Sequence, residues 1–398
     1  MIKKFLNLGY QPLANSYLLK KYLNHKEETF KLEVGFNKKN YLVSILKTVP
    51  KEKMFNKDYP YKSSESITMQ KSFKNFAKKI INNYKPKLVI EIGSNDGAFI
   101  KNFNKNSVVG VEPCKNLAQI TKKKGYKTYS DYWGLKLASK ITRNQKADLI
   151  YSANTLSHIE NFNEIFESIN KALSDKGILI IEDPSLLKCI QNLAYDQFYC
   201  EHIYVFSTIA LREVLKKFNL EIFDVEKTNT HGGSNRYYIK KDTNSLYKIR
   251  NRVGIEIKKE LSFGLNKFST YQKFAKKVKK SKNELLKIFS SLNSKKLRII
   301  GYGATAKSCT VLNYCGLGKS NIKYFYDTTS YKINKYLPGS KIPIKKYKRL
   351  NHKEIDVAFL GAWNFKKEIF YKERNFLKKG GKFILHLPKP TIFERMKT

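Results

Sequence analysis

The most distinctive hydrophobic pattern in the chain is an apolar run that ends in an acid and a glycine loop, KLVIEIGSNDG at 87–97. Its β-branched residues predict a buried strand, and Ala98 and Phe99 begin a helical pattern after Gly97. In an α/β sheet such a loop lies at the carboxyl end of a strand, where ligands bind, and glycine lets the backbone approach them. The pattern predicts a strand, a ligand-binding loop and a helix.

Strand and helix patterns alternate from about 76 to 240, as in a doubly wound α/β sheet. They predict a helix at 163–173, a turn at 174–177 and a fifth strand at 178–183. Two further strands, at 221–228 and 235–241, predict an antiparallel close to the sheet.

Flanking patterns predict a smaller region on each side. Alternating residues at 30–36 and 43–45 predict a hairpin, and a lysine-rich apolar stripe predicts a helix at 262–295. From 297 a second strand, glycine loop and helix begin. The predicted domains are an N-terminal lobe (1–75), a central α/β domain (76–245), a helical connector (246–295) and a second Rossmann-like α/β domain (296–398).

Composition changes this picture little. The 398 residues carry a net charge of +44, but the lysines are spread through every segment, which indicates a composition bias more than a nucleic-acid site. Five cysteines form no C-x-x-C pair, and no run of about 18 apolar residues occurs. We therefore expect a cytoplasmic protein without a metal site, and neither nucleic acid nor membrane as a partner.

The first glycine loop favours one cofactor. A dinucleotide needs a glycine where Asn95 stands, whereas polar residues between the glycines suit a ligand with an amino acid end, such as S-adenosylmethionine. Glu112, about 20 residues after Gly93, could accept hydrogen bonds from ribose hydroxyls. A dinucleotide and an ordinary strand-helix turn are the alternatives. The predicted cofactor-binding residues are Glu91, Gly93, Ser94, Asn95, Asp96, Gly97, Glu112, Pro113 and Asn154.

Three of the six histidines, His158, His202 and His231, follow predicted strands at the ligand-binding edge. In the triplet Tyr199, Glu201 and His202, an imidazole could remove a proton next to a carbonyl while the acid polarises it. The tyrosine hydroxyl could donate to the enolate oxygen. An extended segment would place Tyr199 and Glu201 on one side and His202 on the other. Each histidine could also be purely structural.

The second glycine loop, GYGATAKS at 301–308, repeats the arrangement of the first. A following strand ends in Asp327, about 25 residues downstream. Lys307 at the helix start could reach a phosphate, which would make the loop a second nucleotide site. An inert Rossmann-like half is the alternative.

Taken together, the motifs resemble the sugar C-methyltransferases that act on nucleotide-linked 4-keto-deoxysugars. The resemblance rests on eleven blocks in order: LGYQPLANSYL, DYPYKSSES, EIGSNDG, GVEP, NTLSHIEN, YDQFYCEH, THGGSNR, GYGATAKSCTVLNYCG, YLPGSKIPI, AWNF and GGKFILHLP. It implies an α/β protein with an N-terminal lobe, a central class I methyltransferase domain and a C-terminal Rossmann-like domain that helps to hold a nucleotide diphosphate sugar.

The resemblance also implies roles for residues. His202 would be the base, assisted by Tyr199, Glu201 and His158. The implied substrate-binding residues are Tyr59, Tyr61, Ser63, His231, Gly232, Gly233, Ser234, Arg236, Tyr302, Lys307 and Asp327.

The chain departs from the family in its N-terminal lobe. Members usually carry two cysteine pairs that bind a structural zinc, whereas here Gly35 to Asn40 stands where the second pair would lie. We therefore predict that zinc is absent. A sugar O-methyltransferase, or a catalytically silent protein that binds a nucleotide-sugar, remains an alternative function.

Overall fold

The first elements of the chain form a small antiparallel sheet and lead into a long helix. The protein was analysed as a computed structural model, which describes residues 1–394. The elements are β1 (Ile2–Pro12), β2 (Thr29–Asn37), β3 (Val43–Ile45), α1 (Lys51–Met54) and α2 (Ile67–Tyr84). The predicted hairpin is confirmed, because β2 and β3 pair antiparallel with Val34 opposite Ile45.

Helix α2 forms because its sequence supplies a cap and an apolar stripe. The Ser66 side chain accepts a hydrogen bond from the Met69 amide and so satisfies a free N–H of the first turn. Phe73, Phe76 and Ile80 follow at helical spacing and are buried. This helix anchors the segment before it, residues 59–64, which lies against the first glycine loop.

The central part mostly alternates strands and helices as predicted, but the helix predicted after Gly97 is wrong: only short 3₁₀ turns, the first at Ile100–Asn102, separate β4 from β5. Its elements are β4 (Val89–Ile92), β5 (Val108–Val111), α3 (Lys115–Lys123), β6 (Lys127–Tyr129), α4 (Leu135–Ile141), β7 (Ala147–Ala153), α5 (Phe162–Ala172), β8 (Leu173–Pro184), α6 (Leu186–Gln191), β9 (Tyr204–Val205), α7 (Thr208–Leu215), β10 (Leu220–Thr228) and β11 (Ser234–Lys241).

Seven of these strands form one sheet in the order β10-β11-β8-β7-β4-β5-β6. Strands β4, β5, β6, β7 and β8 are parallel, and β11 pairs antiparallel with both β8 and β10. The carboxyl ends of β4, β5, β7 and β8 therefore meet at one edge. Because β11 runs the other way, the loop that leads into it reaches the same edge.

Two predicted boundaries need correction. Strand β8 begins at Leu173, because residues 174–177 form a bulge within it: Leu173 pairs with Ala147, and Ile178 pairs with Leu149. The predicted helix at 262–295 begins later, as α9 (Phe268–Ser294), and a separate helix, α8 (Asn251–Phe263), precedes it. They separate at Gly264, which adopts a left-handed φ of 88° and caps α8.

The last part of the described chain forms a second, mainly parallel sheet. Its elements are β12 (Ile299–Tyr302), α10 (Ala306–Cys315), β13 (Phe325–Asp327), β14 (Ile344–Lys346), β15 (Val357–Leu360), α11 (Lys366–Lys372), α12 (Arg374–Lys378), β16 (Lys382–Leu385) and β17 (Thr391–Phe393). The strand order is β14-β13-β12-β15-β16-β17, and β17 is antiparallel to its neighbour.

Long-range contacts join the three sheets. Helix α9 packs Tyr271 against Phe5 of β1, with ring centroids 5.0 Å apart, and Phe289 against Phe359 of β15 at 5.9 Å. Strand β9, although it lies within the central part of the sequence, pairs with β3 at the edge of the first sheet. The turn immediately before β9 carries the predicted catalytic triplet, so the N-terminal lobe holds that turn directly.

Candidate active site

The first glycine loop is held in place by backbone hydrogen bonds to the neighbouring strand. The Gly93 and Ser94 amides both donate to the Val111 carbonyl. The Asn95 amide donates to Glu112 Oε2 at 2.8 Å, while Glu112 Oε1 accepts from the Cys114 amide at 2.8 Å. Each Glu112 oxygen has a second lone pair and can still accept a further hydrogen bond.

Both loop glycines are required by the backbone and by space. Gly93 has a φ of 75°, and a Cβ there would lie 2.1 Å from Thr155 Oγ1. Gly97 has a φ of 82°, and a Cβ there would lie 3.0 Å from Thr121 Cγ2. Left-handed φ values of this kind favour glycine.

The residues around the loop fit S-adenosylmethionine. Glu91 Oε2 and Ser94 Oγ are buried without a hydrogen-bond partner in residues 1–394. Burial, and then the neighbouring Glu112, raise the pKa of Glu91 well above its ordinary value. A cofactor with an ammonium group, hydroxyl donors and a positive charge would satisfy these acceptors and relieve the repulsion between the two acids. Pro113 is half-buried beside Glu112.

Residues 59–64 cover this loop. The Ser63 amide donates to Asn95 Oδ1 at 2.9 Å, and Asn95 Nδ2 donates to the Tyr61 carbonyl at 3.1 Å. Ser64 donates to Asp96 through both its amide and its hydroxyl. The structure therefore places Tyr61 and Ser63, which we expected to bind substrate, on the cofactor loop.

Glu201 does not polarise the catalytic imidazole as expected. It is buried, and its two oxygens accept from Asn15 Nδ2 at 2.7 Å and from the Tyr59 hydroxyl at 2.8 Å. Burial raises the pKa of Glu201 to about 7. Tyr59 and Glu201 thus join the N-terminal lobe to the catalytic turn.

The predicted sides of the triplet also need correction. The His202 amide donates to the Tyr199 carbonyl at 2.9 Å, which closes a turn in place of an extended segment. The turn brings the Tyr199 hydroxyl to 2.7 Å from His202 Nε2. The two side chains therefore lie together, because strand alternation does not apply within a turn.

The hydrogen bonds of His202 define its tautomer. Nδ1 lies 2.8 Å from the Gln197 carbonyl oxygen, which can only accept, so Nδ1 carries the hydrogen. Burial, together with the nearby His158 and Lys307, lowers the pKa of His202 well below its ordinary value. The ring is neutral at physiological pH, and its Nε2 lone pair accepts the Tyr199 hydroxyl.

The Tyr199–His202 pair belongs to a group of five short segments that contact one another in a ring. His158 stacks on His202 with ring centroids 5.1 Å apart. The neighbour of His158, Ser157, donates to Asp183 Oδ1 at 2.6 Å. We call residues 157–158, 183–185, 197, 199–202 and 231–233 the polar ring.

The remaining contacts of the polar ring run through the loop before β11. The Ser185 amide donates to the Gly233 carbonyl at 3.1 Å, and Gln197 Nε2 donates to the His231 carbonyl at 2.9 Å. Ser234, which follows the loop, donates its hydroxyl to the Thr230 carbonyl at 3.1 Å.

Several buried polar atoms in and beside the polar ring have no hydrogen-bond partner in residues 1–394. They are Asn154 Oδ1, His158 Nε2, Asp183 Oδ2, Asp196 Oδ1, Gln197 Oε1 and His231 Nε2. Burial lowers the pKa of His158 to about 4 and that of His231 to about 3, so both imidazoles are neutral. Unsatisfied buried polar atoms are rare in folded proteins, and a group of them indicates a polar ligand.

The C-terminal sheet closes one side of the polar ring through Trp363. A Cβ on Gly232 would lie 2.3 Å from Trp363 Cη2, and Trp363 Nε1 donates to Asp196 Oδ2 at 2.6 Å. Lys307 is buried with its ammonium 5.2 Å from the Trp363 ring centroid. Among residues 1–394, no carboxylate lies within the 4.0 Å of an ion pair with this ammonium; burial lowers the pKa of Lys307, and the more distant Asp196 opposes that shift.

Two predicted substrate ligands have structural partners instead. Arg236 Nε donates to Glu182 Oε2 at 2.6 Å, and its guanidinium lies 3.9 Å from the Phe76 ring centroid. Tyr302 is buried and donates to Glu373 Oε1 at 3.1 Å. Both side chains are hydrogen-bonded to buried acids, and their role in substrate binding stays a prediction.

Other parts of the protein occupy the space next to the second glycine loop. Asp327 accepts the Ala304 amide at 2.8 Å, as Glu112 accepts that of Asn95. The Ala304 carbonyl accepts the Tyr17 hydroxyl at 2.7 Å. A Cβ on Gly303 would lie 2.6 Å from Ala362 Cβ. These contacts favour the alternative in which this Rossmann-like half is inert over a second nucleotide site at this loop.

Several residues of the site were not predicted from the sequence. Asp183, Asp196, Gln197 and Trp363 all contribute to the polar ring or its wall. Of these, Asp183 alone carried a local signal, since it is an acid at the carboxyl end of a strand.

The sheet and the loop together define the class of protein. Six parallel strands with one antiparallel strand inserted next to the edge, and a glycine loop after the first central strand, are the architecture of class I S-adenosylmethionine-dependent methyltransferases. The fold class expected from the sequence is thereby confirmed.

Family models and a related protein match this chain. The model for the "C-methyltransferase C-terminal domain" matches residues 229–388, that for a "methyltransferase domain" matches 67–225, and that for a "putative zinc binding domain" matches 1–55. The C-methyltransferase NovU of Streptomyces niveus is 28% identical over 99% of this chain and 94% of that protein. Together these matches support an assignment to the S-adenosylmethionine-dependent C-methyltransferases.

Solved structures of other methyltransferases overlap part of the chain. The magnesium protoporphyrin IX methyltransferase of Synechocystis PCC 6803 is 14% identical, with a TM-score of 0.32, over 43% of this chain and 78% of that one. The N-methyltransferase NodS of Bradyrhizobium japonicum is 11% identical, with a TM-score of 0.35, over 44% and 98% respectively.

Two features were sought within the described part of the chain. Residues 1–394 contain no group of three or more histidine, cysteine, aspartate or glutamate side chains placed to hold a metal ion. None of the helices in this range has both the length and the apolar character needed to cross a membrane.

Proposed function

We propose that this C-methyltransferase adds a methyl group to the carbon next to the keto group of a nucleotide-activated keto-deoxysugar, in the cytoplasm. The observation that carries the proposal is the Tyr199–His202 pair, a neutral imidazole and a phenol 2.7 Å apart. The motif resemblance supports the nucleotide-sugar, and the Lys307 ammonium supports an anionic substrate.

Before substrate binds, the Tyr199 hydroxyl covers the basic nitrogen of His202. Burial, and then Glu201, raise the pKa of Tyr199 well above its ordinary value, so the hydroxyl keeps its proton. A keto oxygen that takes over the Tyr199 hydrogen bond would free the Nε2 lone pair. The hydroxyl and the base are thus released to the substrate together.

The base then acts on the adjacent carbon. His202 Nε2 takes the proton, the C–H electron pair forms a carbon–carbon double bond, and the carbonyl pair moves onto oxygen, where Tyr199 stabilises the negative charge. Glu91, Asn95 and Glu112 would hold the cofactor, which supplies a methyl group on a positively charged sulfur. His158 keeps the His202 ring in place by stacking.

The reaction is tested with a panel of nucleoside diphosphate 4-keto-deoxysugars and isotopically labelled S-adenosylmethionine. A gain in mass of one CH₂ identifies the substrate, and carbon NMR shows whether the new methyl group is bonded to carbon. A methyl group on oxygen would identify an O-methyltransferase instead. Binding without methylation of any sugar would indicate the silent nucleotide-sugar-binding protein.

The base is tested separately by His202→Gln, with the exposed His25→Gln as control. We expect His202→Gln to slow exchange of the substrate's acidic proton with deuterated water by at least about 100-fold, because general base catalysis is lost. Affinity for the cofactor, measured by calorimetry, should not change. Exchange at the rate of the control would mean that another group is the base.

A further inference from the structure

Asp183 has one satisfied and one free carboxyl oxygen. It lies at the carboxyl end of β8 and is 1% exposed. Oδ1 accepts the Ser157 hydroxyl at 2.6 Å, whereas Oδ2 is buried without a partner in residues 1–394. The Asn154 amide donates to the Glu182 carbonyl at 2.8 Å, which places Asp183 next to the end of β7, and Ser157 links it to His158 of the polar ring.

Within residues 1–394, no cation forms an ion pair with Asp183. Its strand neighbour Glu182 is ion-paired with Arg236, and His158, on the segment packed against it, is neutral. Tyr199 on the catalytic turn keeps its proton. Burial therefore dominates and raises the pKa of Asp183 to about 8, opposed by the Ser157 hydrogen bond.

The position of the carboxyl proton follows from the hydrogen bonds. Because Oδ1 accepts from Ser157, the proton of the neutral acid lies on Oδ2. Oδ2 is thus a free donor, whereas the unpartnered Asn154 Oδ1 and Gln197 Oε1 are acceptors. A keto oxygen can only accept a hydrogen bond, and the protonated Asp183 carboxyl supplies the donor.

We propose that Asp183 is a second catalytic hydrogen-bond donor, which binds the keto oxygen of the substrate together with Tyr199. This role rests on the proposed function. Negative charge builds on that oxygen as His202 removes the proton, and preorganised donors lower the barrier. A carboxyl kept neutral by burial serves an enolate beside a tyrosine hydroxyl in other enzymes. The Asp183 proton is shared and not transferred, and the keto group re-forms when the carbon is methylated.

Two substitutions separate hydrogen bonding from other roles. Asp183→Asn keeps an acceptor for Ser157 and a donor at the other position, whereas Asp183→Ala removes both. We expect Asp183→Ala to lower kcat by about 100- to 1000-fold, as loss of an oxyanion donor does, with KM changed less than kcat. Asp183→Asn should retain most of the activity. The surface variant Asp175→Asn serves as the control, and thermal unfolding checks that each variant is folded.

The pH profile gives a second readout. A protonated Asp183 donates below its pKa, so kcat of the unaltered protein should fall as pH rises through about 8. The amide of Asp183→Asn does not ionise, so this fall should be absent from that variant. Infrared spectroscopy of the protein without substrate should show a protonated carboxyl at pH 7 that Asp183→Asn lacks.

Three results would overturn the inference. They are a folded Asp183→Ala whose kcat stays close to that of the unaltered protein, an Asp183→Asn as inactive as Asp183→Ala, and an infrared spectrum without the protonated carboxyl. If Asp183→Ala does not fold, the asparagine variant and its pH profile still decide. If the unaltered protein methylates no keto sugar, the proposed function fails, whereas the infrared result still decides the protonation of Asp183.

Discussion

The cofactor loop can be tested quantitatively through Gly93, because the structure separates two costs of adding a side chain. In Gly93→Ala, the new Cβ would meet Thr155 Oγ1 at 2.1 Å and Thr155 Cγ2 at 2.6 Å. The backbone must also keep a φ of 75° with a side chain present. The first cost is steric and the second is conformational.

Both costs can be estimated. A left-handed φ costs a non-glycine residue about 1–2 kcal/mol. Thr155 must move and give up its hydrogen bond to the Ala153 carbonyl, which contributes about 0.5–1.5 kcal/mol. The total is about 1.5–3.5 kcal/mol, equivalent to about a 10- to 300-fold change in an equilibrium constant.

The cost appears as lost stability if the loop keeps its conformation and as lost affinity if it relaxes. Urea unfolding and calorimetric binding of S-adenosylmethionine should therefore be measured on the same variant and the two losses added. Gly97→Ala is the matched control, since its φ is 82° but its nearest contact is 3.0 Å. We expect it to show only the conformational part, about 1–2 kcal/mol.

A double variant isolates the steric part. Thr155→Ala removes the two atoms nearest to the new Cβ, so Gly93→Ala should cost less in that background by about 1 kcal/mol. The reasoning is refuted if Gly93→Ala costs no more than Gly97→Ala, or if Thr155→Ala gives no relief.

Three further predictions follow from the contacts described above. Arg236→Met should destabilise the fold by about 3–5 kcal/mol in urea unfolding by leaving Glu182 buried and unpaired, and Glu182→Gln should recover much of this loss. Treatment with a chelator should leave the melting temperature unchanged, and metal analysis should find no stoichiometric zinc, because residues 1–113 contain no cysteine. The pKa of Glu201 is raised in the folded protein, so this acid should contribute about 2–3 kcal/mol to the loss of stability between pH 5 and 8, and Glu201→Gln should make the total loss smaller by that amount.

The parts of the site predicted from the sequence are those built from local patterns. The strand, the loop and the acid at Glu112 follow from apolar runs and glycine spacing, and the structure brings them together as expected. The partners of Arg236 and Tyr302 could not be predicted, because Glu182 and Glu373 lie 54 and 71 residues away in the chain. Spacing carries no information about such pairs.

The triplet Tyr199, Glu201 and His202 shows a second limit of prediction from the sequence. Its residue types indicated the chemistry, but their relative directions depend on whether the chain is extended or turned. The His202 amide bond to Tyr199 turns the chain and brings the hydroxyl onto the imidazole. It also leaves Glu201 to face Asn15 and Tyr59. A turn of this kind is stabilised by β9 pairing with β3, a contact that local sequence does not reveal.

These contacts connect the N-terminal lobe both to the first glycine loop and to the turn at 199–202. Residues 59–64 bind the cofactor loop through Asn95 and Asp96, and Tyr59 of the same segment binds Glu201 on the catalytic turn. A shift of this segment would therefore disturb the methyl donor site and the base together. Without the family's zinc ligands, the pairing of β2, β3 and β9 and the packing of Phe36 on Tyr271, with ring centroids 4.6 Å apart, hold the lobe in position. Contacts with the turn at 199–202 and with α9 restrain the lobe, and the absence of zinc stays a prediction that the metal analysis tests.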